Sequence, residues 1–261
     1  MSLVGKVALV TGSTTGIGYA IATALRSEGA SVMFNGIEDG QQGRAIVGAL
    51  LPHEKGRAMY WAADVSQSDQ VAGMIAETQK QFGPIDILVN NAGIQHVCSI
   101  EDFPPDMWNR IIAVNLSSAF WTTQLVLPGM RDRGWGRIIN IASAHALTAS
   151  VNKSAYIAAK HGLLGLTRAT AIETAETGIT CNAICPGWVR TPLAERQIEA
   201  FAQSEGLGLE EAATALVKVR QPSGTFVDPE DLAGLALFLC SKAAHQMTGS
   251  ALSMDGAWTA Q

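Results

Sequence analysis

Short apolar runs alternate along the chain with longer stretches whose apolar residues recur at helical spacing. Lys6–Thr11, Ser31–Asn35, Arg57–Ala63, Ile85–Asn90, Gly136–Ala142, Gly178–Ile184 and Ser250–Met254 read as strands. They show little in/out alternation, as expected of a parallel sheet covered by helices on both faces. Helices are expected near 17–28, 38–50, 67–82, 105–131, 154–176 and 228–241. This βα rhythm predicts an α/β fold, a single doubly wound Rossmann-type domain over 1–261 with a parallel sheet of about seven strands. Residues 188–222 interrupt the rhythm with a polar, alanine-rich segment. A stretch of that length is rarely structureless inside a compact domain, so a helical lid over a site is expected there.

Composition narrows the function classes. With 48% hydrophobic and 16% charged residues the chain has ample material for a buried sheet. A formal net charge of −5 without any Lys/Arg cluster argues against a nucleic-acid partner. Cys98, Cys181, Cys185 and Cys240 form no C-x-x-C and no zinc-ligand set, so buried thiols in a reducing compartment and no metal are expected. The amino terminus enters the first strand without a signal-peptide pattern, and Leu232–Cys240 is too short to span a bilayer. A soluble cytoplasmic protein with no membrane partner is the expectation.

Three features carry chemistry. Thr11-Gly12-Ser13-Thr14-Thr15-Gly16-Ile17-Gly18 lies between a strand and a helix. Glycines there allow a tight turn, close approach of a pyrophosphate and close helix–strand packing, while the helix N-terminus attracts the anion. Tyr156 and Lys160, four apart, share one helix face, so the ammonium can shift the phenol from its usual pKa of roughly 10 toward the working range. Ser143 stands thirteen residues before Tyr156, just past a strand. Together they point to a hydride-transfer enzyme.

The spacing of the first turn resembles the T-G-x-x-x-G-x-G of the short-chain dehydrogenase/reductase family. The likeness continues through Asp64-Val65, Asn90-Asn91-Ala92-Gly93, Asn115, Ser143, Tyr156-x-x-x-Lys160 and Pro186-Gly187. It implies a catalytic group in which Tyr156 exchanges a proton with the substrate oxygen and Ser143 fixes that oxygen. Lys160 would lower the tyrosine pKa and bind the nicotinamide ribose, and Asn115 would support a water. The resemblance further implies cofactor contacts from Gly12, Thr14, Gly16, Ile17, Gly18, Asp64, Val65, Asn91, Ala92, Gly93, Tyr156, Lys160, Pro186, Gly187, Val189 and Thr191. The second strand ends in Phe34-Asn35-Gly36, without the acid that often holds the ribose 2′-hydroxyl in NAD-specific relatives. Asn35 can bond a hydroxyl, and no Arg or Lys at 13–15 or 35–37 awaits a 2′-phosphate, so NAD is the expected cofactor. A homotetramer is also implied.

For the substrate, Gln95, Ser143, His145, Lys153, Trp188 and Gln197 each fall beside one of these landmarks. Ser143 and His145, two apart, would point the same way in extended backbone, and Lys153 would lie one helical turn before Tyr156. This polar, partly cationic surround suits a small carboxylate on a secondary alcohol. The stretches 93–96, 100–104, 141–145, 152–156, 182–193 and 255–259 resemble a narrower group, the bacterial D-3-hydroxybutyrate dehydrogenases. That likeness implies that Gln95, His145, Lys153 and Gln197 hold a substrate carboxylate, with Trp188 and Trp258 shaping the pocket. A reductase of 3-oxoacyl thioesters and a nucleotide-sensing protein are the alternatives.

Overall fold

A computed structural model describes residues 2–49 and 55–260. Its seven strands are β1 (Val7–Val10), β2 (Ser31–Gly36), β3 (Ala58–Ala62), β4 (Ile87–Asn90), β5 (Gly136–Ile141), β6 (Ile179–Pro186) and β7 (Ala251–Met254). All pair in parallel in the order β3-β2-β1-β4-β5-β6-β7. The central strands are buried at every position because successive side chains enter different cores. Ala8 and Val10 meet Ile21 and Leu25, whereas Val7 and Leu9 meet Val71, Met74 and Met130. Each such fully buried leucine contributes about 1.5–3 kcal/mol relative to exposure. Only the edges relax: Trp61 of β3 is 37% exposed.

The helices are α1 (Gly16–Ser27), α2 (Gly40–Gly48), α3 (Ser68–Phe82), α4 (Pro105–Ile112), α5 (Ser118–Arg133), α6 (Ser154–Glu173), α7 (Pro192–Glu205), α8 (Leu209–Arg220) and α9 (Pro229–Cys240). α2 starts two residues later than its pattern suggests. Asp39 caps it, its Oδ1 accepting from the N–H groups of Gln41 and Gln42 at 2.8 and 2.9 Å. The expected end of that helix at Leu50 lies outside the described residues, as do Met1 and Gln261. The run expected over 105–131 is a helix interrupted at Ala113–Ser117 by a π turn that contains Asn115. Pro105–Arg133 is long and apolar enough to cross a bilayer by length and composition. Its Val126 and Met130 are buried against the sheet. Residues 188–222 hold α7 and α8, which pack through Ile198, Ala202, Ala212 and Ala213.

β1 lies between β2, reached by one crossover, and β4, reached after the chain has passed back from β3. The chain therefore diverges at the carboxyl ends of β1 and β4. In an open parallel sheet that crevice is where ligands bind.

Candidate active site

A cleft of about 360 Å³ opens at that divergence. Gly12 sits at φ +59°, and a Cβ there would lie 2.9 Å from the Ala92 Cα, so the turn closes against the β4 loop only with glycine. A Cβ on Gly18 would lie 2.4 Å from the Asn91 Nδ2, which makes Gly18 a packing residue below the cleft rather than part of its wall. Asn91 locks the turn, its Nδ2 donating to the carbonyls of Thr11 and Gly12 at 2.9 and 2.8 Å. Thr15 makes no side-chain cap on α1, and no acid stands in the first helical turn. The first N–H groups of α1 thus face the cleft beside bare glycine backbone, an arrangement that fits a dinucleotide pyrophosphate. Thr14, Gly16, Ile17, Asp64, Val65, Ala92, Gly93, Pro186, Gly187, Val189 and Thr191 line the same cleft.

Asn35 departs from its expected role. It is buried at the cleft floor, where its Oδ1 accepts from the Gly12 N–H at 3.2 Å. Its Nδ2 donates to the Trp61 and Ala63 carbonyls at 3.2 and 3.1 Å. With the amide committed to backbone, Asn35 braces β1, β2 and β3 and has little left for a ribose. Glu38, which the sequence reading passed over, takes the rim instead. Its Oε1 accepts from the Thr14 hydroxyl at 2.7 Å, and the Tyr60 hydroxyl donates to its backbone carbonyl at 2.7 Å. Glu38 follows Gly18 by about twenty residues, the usual interval between the glycine turn and a ribose-binding acid, and that interval was the available signal.

Tyr156 lies in the first turn of α6 and Lys160 one turn on, as the spacing predicts. Lys160 is buried, its Nζ donating to the Ile141 carbonyl at 2.8 Å and lying 5.6 Å from the centre of the Tyr156 ring. Burial brings this ammonium down to about 8. Burial also raises the Tyr156 phenol above its ordinary value, opposed by a hydrogen bond with the Ser143 hydroxyl and reinforced by Cys185. The net direction is upward because desolvation of the phenolate outweighs the Ser143 hydrogen bond. Asn115 clasps the β4 loop, its Oδ1 accepting from the Ile94 N–H and its Nδ2 donating to the Ile94 carbonyl, both at 2.9 Å. The side chain does not line the cleft, but the Gly93 it supports does, next to Lys160.

Ser143 and His145 do not lie in extended backbone together. Ser143 Oγ accepts from the His145 N–H at 3.1 Å and starts a 3₁₀ turn over Ala144–Ala146. Both side chains nonetheless reach the cleft. His145 is buried edge-on to Tyr156 (centroids 6.0 Å apart) and Trp258 (4.9 Å), with its Nε2 at 2.9 Å from the Ser150 hydroxyl. Burial first, then Lys153 and Arg220, take its pKa down to about 3, so the ring is neutral and not one of the cations. Lys153 is the N-cap of α6 and outside its first turn. The preceding Asn152 adopts φ +62°, which turns the chain there, and the Lys153 side chain runs toward α7. Its Nζ donates to Gln197 Oε1 at 3.0 Å, and Gln95 Nε2 reaches the same oxygen at 3.5 Å. Burial and Arg220 bring Lys153 down to about 8. Trp188 stacks on Trp258 at 6.4 Å, 22° from parallel, beside this group. Two cleft residues that sequence reasoning did not single out, Leu193 and Arg196, come with α7. Only the fold of α7 over the sheet reveals them.

A donor-rich pocket thus adjoins a buried Ser–Tyr–Lys group and a dinucleotide-shaped cleft. Comparison with known proteins agrees with this geometry. A family model described as enoyl-(acyl carrier protein) reductase matches residues 12–259. A D-beta-hydroxybutyrate dehydrogenase of Cupriavidus necator is 55% identical, covering 98% of this chain and 99% of that one. One of Rhizobium meliloti is 48% identical with the same coverage. Among solved structures, an actinorhodin polyketide ketoreductase with NADPH superposes with a TM-score of 0.92 at 35% identity over 98% of both chains. The chain belongs to the short-chain dehydrogenase/reductase family and is an oxidoreductase on that family's nucleotide-binding sheet.

Proposed function

We propose that this protein catalyses the reversible NAD-dependent oxidation of (R)-3-hydroxybutyrate to acetoacetate. The convergence of Lys153 Nζ and Gln95 Nε2 on one oxygen atom, that of Gln197, carries the reading. Two donors that share a single acceptor will also hold one oxygen of a carboxylate, and Gln197 can then turn its amide to donate as well. Neutral His145 flanks Tyr156, and the two tryptophans leave room for a small aliphatic acid. The likeness to the two hydroxybutyrate dehydrogenases supports the same substrate.

In this mechanism Gly12, Thr14, Gly16, Ile17, Asp64, Val65, Asn91, Ala92, Gly93, Pro186, Gly187, Val189 and Thr191 hold the cofactor. NAD, when bound, supplies the hydride acceptor. Ser143 orients the substrate hydroxyl through a hydrogen bond, and Tyr156 takes its proton as the carbinol carbon loses hydride. Lys160 holds positive charge near the phenol and favours the phenolate that burial opposes. Asn115 keeps the π turn and the β4 loop in place behind Lys160, and α7 with α8 acts as the lid that excludes water. Glu38 supports the choice of NAD, because a carboxylate at the rim repels a 2′-phosphate and accepts from a 2′-hydroxyl. The exposed Trp108, Phe120, Leu125 and Ile172 on α4, α5 and α6 support association into a homotetramer.

The test is turnover of (R)- and (S)-3-hydroxybutyrate with NAD and with NADP. Activity confined to the R acid and NAD is the expected result; no activity on either acid overturns the reading. The likeness to the NADPH-bound ketoreductase favours a second reading, reduction of a 3-oxoacyl thioester. Faster turnover of acetoacetyl thioester than of acetoacetate would select it.

A further inference from the structure

Trp188 and Trp258 belong to two walls at once. They line the cleft that holds Ser143, Tyr156 and Lys160, and also a larger space of about 730 Å³ bounded by α7, α8 and the loops after β4 and β5. That second space is largely apolar, with Val151, Phe201, Leu216 and Val219 around it. The stacked indoles are thus part of what divides a small polar pocket from a roomier apolar one. No hydrogen bond holds the Trp188 ring, because its buried indole N–H has no partner among the described residues. Its place follows from its backbone, and both backbone groups are tied down. The Trp188 carbonyl accepts from the Val227 N–H at 2.8 Å, and the Trp188 N–H donates to Gln221 Oε1 at 2.9 Å.

Gln221 caps the end of α8, is 1% exposed and lines neither space. Its Nε2 donates to the Thr225 carbonyl, so the amide is engaged at both atoms. A Cβ on Gly256 would lie 2.6 Å from the Gln221 Cγ, which wedges Gln221 against the segment leading to Trp258. Ser223 adds a second tie there, its N–H donating to the Gly256 carbonyl at 3.1 Å. The end of α8 therefore braces the segments that carry both tryptophans.

We propose that Gln221 is a positioning residue that sets the chain-length limit of the pocket, by holding Trp188 between the site of reaction and the apolar space under α7 and α8. The proposal rests on the hydroxy-acid reading above for the class of substrate. Gln221 touches no substrate atom and takes no part in proton or hydride transfer. With its amide gone, the Trp188 N–H loses a buried acceptor, the backbone shifts to find another, and the ring moves with it.

The probes are butyrate and hexanoate, which carry no hydroxyl to oxidise, titrated calorimetrically into the protein with NAD present. Wild-type protein should prefer the shorter acid. Gln221→Met, of similar length and volume, should narrow that preference roughly tenfold, the scale on which an apolar pocket discriminates by one methylene. Gln221→Glu, its carboxyl group kept neutral at pH 6 by burial, retains both bonds and should hold the wild-type ratio. In turnover Gln221→Met should raise kcat/KM for (R)-3-hydroxyhexanoate relative to (R)-3-hydroxybutyrate, through KM. A merely structural role would weaken both acids alike. In wild-type protein the Trp188 amide should exchange its hydrogen slowly although it lies outside any helix or strand, and this reading needs no variant.

Four outcomes overturn the proposal: equal affinity of wild-type protein for the two acids, an unchanged ratio in Gln221→Met, a ratio relaxed as far in Gln221→Glu, or fast exchange of the wild-type Trp188 amide. Failure of wild-type protein to oxidise (R)-3-hydroxybutyrate would instead overturn the reaction assigned above. The titrations and the exchange measurement stand apart from that result because neither needs turnover.

Discussion

Lys153 donates to Gln197 at 3.0 Å across 44 residues of sequence, tying the head of α6 to α7. The contact places a cation that burial disfavours beside an acceptor that can swing away. An incoming carboxylate can take the place of that acceptor without leaving the ammonium unpaired.

Removing the cation should therefore affect binding more than chemistry. Lys153→Ala is expected to raise KM for the hydroxy acid by at least about tenfold, the scale of one lost charge-assisted hydrogen bond, with a smaller change in kcat. Steady-state kinetics on the R acid checks this. An unchanged KM would remove Lys153 from the carboxylate site.

The pH behaviour of Lys153 and Lys160 has a definite sign. Each ammonium loses its proton near 8 in the folded protein, against 10.5 for an unperturbed lysine. Between those values the unfolded chain binds more protons, so these groups make stability rise with pH across that interval. Acid binding should move the other way, with KM rising above about pH 8 as Lys153 becomes neutral. Urea unfolding between pH 7.5 and 10 tests the first statement, and a KM profile over the same interval tests the second. Lys153→Gln should flatten the KM profile and remove the Lys153 share of the stability slope, leaving that of Lys160.

Tyr156→Phe removes the proton acceptor while keeping the ring against His145. Turnover should fall by about 10²–10⁴-fold, the usual contribution of a positioned acid or base. Cofactor binding, followed by fluorescence titration with NADH, should persist. Loss of both together would point to a collapsed site rather than a missing base.

Glu38 and Asn35 should separate cleanly. Glu38→Gln is expected to narrow the preference for NAD over NADP by roughly tenfold through lost repulsion, with the melting temperature little changed. Asn35→Ala should leave the Gly12 N–H unpaired and cost about 1–3 kcal/mol of stability. Cofactor titrations and thermal melts on the two variants distinguish them. A shift in cofactor preference from Asn35→Ala without destabilisation would restore the ribose role to that residue.

Much was already legible along the chain. The seven apolar runs, the glycine turn and the Tyr156–Lys160 spacing report local rules: side-chain period, backbone freedom and helix geometry. Those rules act over a few residues, so one sequence suffices to read them. The run at 188–222 announced helix by its composition. That α7 brings Gln197 to Lys153 depends on packing between segments far apart in sequence. Local backbone chemistry also overruled simple periodicity twice. Ser143 captured the His145 N–H and wound a turn where extended chain was expected, and Asn152 rotated the chain ahead of Lys153. Burial at the end of β2 committed the Asn35 amide to backbone and made it a brace, while Glu38 was left at the rim. The balance at Tyr156 was likewise decided by enclosure, since desolvation depends on every neighbour while residue spacing records only one.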